Sequence, residues 1–137
     1  MKQGVNMVKD SYRKTVLLFL FFSTFIGYME WGGGNNTFIF SSEMQIISKF
    51  FINPQAVLHP LIIFPFVGQL LLMVALIIRS PGKWLIHSAI LLSGILFIPI
   101  LLSGLLSFNL KVVLSTLPFF IFSVIHFRVS RKKMFDN

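Results

Sequence analysis

Gln69 has the most demanding surroundings of any polar side chain in this sequence. It stands near the middle of HPLIIFPFVGQLLLMVALIIR, residues 59–79, an otherwise apolar run of about twenty residues, the length that crosses a hydrocarbon core of roughly 30 Å as a helix. An amide at that depth has to find a hydrogen-bonding partner on a neighbouring helix or on a ligand. A second set of polar groups recurs at helical spacing further on, where Lys111, Ser115, Phe122 and His126 share a stripe with Pro118 alongside. Lys111 either snorkels to the interface or faces inward, where it pairs with Glu30 or attracts an anion.

The three histidines suggest two further chemistries. His87 and His126 both fall near the inner boundary of the apolar layer, so these two can share a ligand, and a haem with two axial imidazoles is the cofactor such a pair would hold. Interfacial imidazoles near helix ends are the plainer reading, and the sequence demands no cofactor. His59 falls on the outer side with Glu30 and Glu43, a set of oxygen and nitrogen donors with no metal-site spacing behind it. There is no cysteine, which removes disulfides, thiolate metal sites and cysteine nucleophiles. Gly32, Gly33 and Gly34 lead into Asn35-Asn36-Thr37 rather than a Lys-Ser/Thr pair, so they make no nucleotide loop; the Asn-Asn-Thr triplet matches a glycosylation acceptor, relevant only in a eukaryotic secretory setting. With four acidic residues in the chain and no pair of them inside an apolar run, acid–base catalysis has few candidates.

The elements that must position these groups are membrane helices. Hydrophobic residues make up 55% of the chain, more than a soluble domain of 137 residues could bury. The expected architecture is all-α: an integral membrane four-helix bundle with spans at approximately 12–31, 57–78, 84–106 and 110–127, as one domain. A basic leader precedes the first span, and the absence of a small-residue cleavage pattern, the first alanine being Ala56, argues for an uncleaved span rather than a signal peptide.

The extracytoplasmic loop 32–56 carries Ser42-Glu43-Met44-Gln45, a capping-box pattern. It predicts a short helix from Ser42 to about Ile52, halted by Asn53-Pro54. Met44, Ile47 and Phe51 share its apolar face while Glu43 and Lys49 lie towards the other. Such a helix is expected on the membrane surface or across the mouth of the bundle, as a static lid or a gate. Pro81-Gly82 marks a tight turn between the second and third spans, and Phe108-Asn109 another before the fourth. Ala89, Ser93, Ser103, Gly104 and Ser107 form a small-residue side of the third span suited to close helix approach, with His87 pointing away.

Charge placement sets the orientation. With a cytoplasmic N-terminus, Lys2, Lys9, Arg13, Lys14, Arg79, Lys83, Arg128, Arg131, Lys132 and Lys133 all fall inside, leaving Lys49 and Lys111 outside. That bias is the positive-inside signature. It accounts for the net charge of +8 as a topology signal, with attraction to anionic lipid heads as a consequence and no nucleic acid needed.

GYMEWGGGNN after the first span, HPLIIFPFVGQ in the second and NLKVVLSTLPF in the fourth resemble uncharacterised small four-span bacterial inner-membrane proteins. This resemblance implies a bacterial cytoplasmic membrane and no particular activity. In span count, and in a glycine followed by a leucine-rich run in span two, the chain is also similar in outline to the DoxX-like family, some of whose members are linked to quinone redox chemistry; Gln69 stands where an acidic residue would be sought.

The leading expectation is a non-catalytic accessory or assembly subunit that packs against a larger membrane protein or forms a homo-oligomer within the bilayer. One alternative is a quinone or small-ligand binding redox module using Gln69 and Lys111, with Ser115, Glu30 and His59 at the outer cavity. Another is an oligomeric small-molecule transporter, although no inverted repeat is visible.

Overall fold

The computed structural model describes the backbone of residues 2–135 and the side chains of residues 11–55 and 57–131. Helix α1 (Lys2–Ile26) leads into a two-stranded antiparallel hairpin, β1 (Tyr28–Trp31) and β2 (Asn35–Phe38). Helix α2 (Ile39–Ile52), a 3-10 turn (Pro54–Val57) and helices α3 (Pro60–Ile77), α4 (Lys83–Leu106) and α5 (Leu110–Phe135) follow. Among the described residues, three stretches are long and apolar enough to cross a membrane, namely α3, α4 and residues Leu110–Arg131 of α5, the mark of a membrane protein. α1 packs against α3 and α5, α3 against α4, and α4 against α5.

The packing is carried by small residues and aromatic contacts, as expected where lipid offers helices little hydrophobic incentive to associate. A Cβ at Gly68 would lie 2.6 Å from Ser93 Oγ and 2.9 Å from the Ala89 carbonyl oxygen, so α3 and α4 touch where neither has a bulky side chain. Gly104 makes a similar approach to Val112. Ala89, Ser93 and Gly104 of the expected small-residue side are buried, whereas Ser103 and Ser107 are exposed. Phe97 and Phe119 stack between α4 and α5 with centroids 4.3 Å apart, within a core that includes Leu17, Leu20, Leu72 and Ile86. Three buried hydroxyls are returned to their own helices: Ser23 donates to the Leu20 carbonyl, Thr116 to Val113 and Ser123 to Phe119, whereas Ser93 Oγ, against Gly68, has no hydrogen-bond partner among the described residues.

The structure corrects the expectation of an all-helical chain with a continuous first helix over 12–31. α1 stops at Ile26. Its continuation is β1, paired Tyr28 to Phe38 through Trp31 to Asn35. The three glycines turn the hairpin rather than cap the helix, with Gly33 and Gly34 at φ +84° and +78°, a conformation open to residues without a Cβ. Gly27 is the point of departure: its carbonyl accepts from the Ile39 N–H at 2.8 Å, and a side chain there would collide with Ile39.

That bond also explains the second correction. α2 begins at Ile39, three residues before Ser42, with Phe38 as an N-cap that makes no side-chain bond. The expected capping box does not form because the hairpin has already supplied the turn into the helix. α2 is also rotated relative to expectation. Ile39 is buried and Ser42, Glu43 and Ile46 half-buried on its inner side, while Met44, Ile47 and Phe51 are exposed. Two polar residues, Ser42 and Glu43, thus turn inward beside Ile39 and Ile46, while Lys49 is exposed along with Met44, Ile47 and Phe51.

The C-terminal end of α3 is joined to the middle of α1 by one lysine. Lys14 Nζ donates to the carbonyls of Ala75, Leu76 and Ile78, oxygens that the last turn of α3 leaves without helical partners, and a cation also suits the negative end of that helix. Next to it, Arg13 donates to the Pro81 carbonyl at 3.0 Å, holding the α3–α4 turn.

Candidate functional site

Gln69 is buried near the middle of α3, and its partner is Glu43. The amide Nε2 donates to Glu43 Oε1 across 26 residues of sequence. α3 delivers the amide from a turn close to Pro65, where a proline interrupts the helical hydrogen-bond ladder. The hairpin delivers the carboxylate by setting α2 into the groove beside α1 and α3. Removal from water raises the Glu43 carboxyl above its ordinary value, and the hydrogen bond from Gln69 opposes that shift.

Apolar walls surround this pair. On the α1 side a hollow is bounded by Phe21, Phe25, Phe40, Met44 and Leu70 as well as Glu43 and Gln69. On the α4 side another is bounded by Met29, Ile39, Leu61, Pro65 and Leu96 with Ser42 and Glu43. An amide that donates and a carboxyl that accepts, placed together among apolar side chains, form a small hydrogen-bonding station, with Ser42 bounding the α4-side hollow beside Glu43.

The other residues singled out from sequence occupy separate places. Glu30 accepts from Asn109 Nδ2 at 2.7 Å rather than pairing with Lys111, which ties the hairpin to the start of α5. Lys111 is exposed, and its backbone N–H donates to Asn109 Oδ1, the cap of α5, at 3.1 Å. Ser115 Oγ accepts from the Tyr28 N–H at 2.9 Å and lies 2.8 Å from the Val112 carbonyl. It thus satisfies a strand-edge donor that has no helical partner. His59 caps α3, its Nδ1 accepting from the Leu61 N–H at 3.3 Å. Glu30, Glu43 and His59 therefore have three different partners, and among the described residues no three metal-ligating side chains gather.

His87 and His126 do come together. Their rings meet edge to face with centroids 5.9 Å apart, and Phe127 lies 4.8 Å from His87. His126 Nε2 is 3.2 Å from Ser130 Oγ, while His87 Nε2 and His126 Nδ1 are buried with no hydrogen-bond partner among the described residues.

Sequence reasoning found Gln69 but missed Glu43 as its partner, because the capping-box reading placed that carboxylate on the water-facing side of a surface helix. The clue was the spacing: Glu43 is one turn from Ile46 and Ile47 on α2, so the carboxylate shares a side of the helix with apolar residues that pack towards α3. No family model, curated protein or solved structure matches this chain.

Proposed function

We propose that this chain is a four-span protein of a bacterial cytoplasmic membrane, with both termini cytoplasmic, serving as a non-catalytic accessory or assembly subunit of a larger membrane complex. The first crossing is made by α1 and completed by β1, whose backbone groups are taken up by β2 and by Ser115, as irregular backbone at membrane depth requires. The basic bias towards the leader, the α3–α4 turn and the tail supports the orientation.

The observation that carries the non-catalytic reading is how the polar side chains are spent. Lys14, Arg13, Glu30, His59, Asn109 and Ser115 each hold one element of the chain to another or cap a helix, which fits a scaffold and leaves few groups free for chemistry. Native mass spectrometry of gently solubilised protein tests this. A stoichiometric complex with a larger membrane protein is the expected result; a chain that leaves the membrane alone and carries a bound chromophore would overturn it.

The Glu43–Gln69 pair favours a second reading, a module that binds a quinone or another small ligand without any partner protein. Gln69→Leu separates the two: an assembly subunit keeps its partner, and a binding module loses its ligand.

A further inference from the structure

Between α2 and the start of α3 runs a groove of about 530 Å³ with no polar surface, inside the range of sites that hold small molecules. Ile47, Phe50 and Phe51 form one wall and Leu58, Ile63 and Phe66 the other. Ile46, Ile62 and Phe66 also bound the hollow that reaches Ser42 and Glu43, and Phe66 adjoins the hollow that holds both Glu43 and Gln69. The groove therefore adjoins, through shared side chains, the hollows that the donor–acceptor pair bounds.

We propose that the groove binds a single-chain lipid with an uncharged hydroxyl head, its chain between α2 and α3 and its hydroxyl against the Glu43–Gln69 pair. Volume favours one chain: taking a methylene as about the size of a water molecule, roughly 30 Å³, the space holds one chain of roughly eighteen carbons. The station selects the head. A hydroxyl accepts from the Gln69 amide and donates to Glu43 when that group is a carboxylate; when Glu43 is protonated, the same hydroxyl accepts from it. A carboxylate or phosphate head has no proton to give and meets the charge of ionised Glu43 in a medium that screens it poorly. Burial of the Glu43 carboxyl without a cationic partner among its hydrogen bonds suits a neutral head further.

With Trp31 and Trp84 replaced by Phe, the site is read with a tryptophan introduced on the more enclosed groove wall, Phe66→Trp, in lipid nanodiscs, titrated with a bromine-labelled long-chain alcohol whose bromine quenches on contact. Leu114→Trp on the exposed side of α5 reports ordinary lipid contact. The proposal expects saturable quenching at residue 66 and linear quenching at 114. It expects the half-quenching concentration to rise about fivefold with Gln69→Leu and saturation to be lost with Ile46→Phe, which adds bulk to the wall shared by the groove and the hollow at Glu43. The fatty acid of the same chain length, ionised in the assay, should bind at least fivefold more weakly, a comparison that needs no change at the site. Equal quenching at both positions, equal binding of alcohol and carboxylate, or saturable quenching by a brominated phospholipid would each overturn the proposal.

Discussion

The Gln69 amide of α3 donates to the Glu43 carboxyl of α2 on the inner side of a helix whose Met44 and Phe51 are exposed. The pair fixes the rotation of α2, because turning the helix to hide Phe51 would part Glu43 from Gln69. Interhelical hydrogen bonds of this kind contribute on average about 0.6 kcal/mol and at most about 1.7. Gln69→Leu should therefore lower unfolding stability in detergent by an amount in that range. A larger loss, above about 3 kcal/mol, would mean that the pair supports more of the fold than the docking of α2.

Glu43 also sets a pH dependence. Its carboxyl holds its proton to higher pH in the folded chain than in the unfolded one, whose value is near 4.5. The stabilisation due to the neutral acid is complete below that pH and drains away as the pH rises through the raised value. Thermal unfolding of wild type and Glu43→Gln across roughly pH 4 to 8 should show the wild type losing ground to the variant as the pH rises. A difference that stays constant over that window would contradict the burial of the carboxyl.

Lys14 is the clasp between α1 and α3. Lys14→Met keeps the length of the side chain and removes the donor from the carbonyls of Ala75, Leu76 and Ile78. Hydrogen bonds from a charged donor contribute about 1.5 to 3 kcal/mol, and a loss of that size is expected in denaturant or thermal unfolding. Lys49→Met, on the exposed side of α2, should be nearly neutral. Equal effects from the two would show that Lys14 acts only as a surface charge.

Two glycines make a sharper contrast. Gly68→Ala would place a methyl 2.8 Å from the Ser93 backbone nitrogen and 2.9 Å from the Ala89 carbonyl oxygen, so α3 and α4 must separate, at a cost of about 1 to 3 kcal/mol. Gly94→Ala meets nothing within 4 Å and should be neutral or stabilising, since alanine is the better helix former by about 1 kcal/mol. Comparable melting temperatures for the two variants would contradict the close approach of these helices.

Much of this architecture is legible in the sequence. The apolar runs expected at 57–78, 84–106 and 110–127 correspond to α3, α4 and most of α5, because uninterrupted hydropathy and Pro-Gly or Phe-Asn turns are local signals. The hairpin is not legible: Tyr28–Trp31 and Asn35–Phe38 are four residues each, too short for alternation to register, and they are held by the Ile39 N–H on the Gly27 carbonyl at their base and by Ser115, far along the chain. Gln69 announces itself by standing in an apolar run, whereas Glu43 sits among polar neighbours, so its burial depends on where the hairpin delivers α2. His87 and His126 are readable as neighbours from the shared inner boundary; that Ser130 attends one ring is not.

Cysteine labelling tests most directly whether the chain crosses the membrane four times. The natural chain has no cysteine, so single substitutions Ser11→Cys, Asn36→Cys and Ser80→Cys can each be probed in sealed, right-side-out membrane vesicles with an impermeant maleimide. Four crossings with the basic segments inside predict labelling of Asn36→Cys alone, with the other two reacting only after the vesicles are opened. If Ser11→Cys labels from the same side as Asn36→Cys, then α1 and β1 do not cross, and the four-span reading fails.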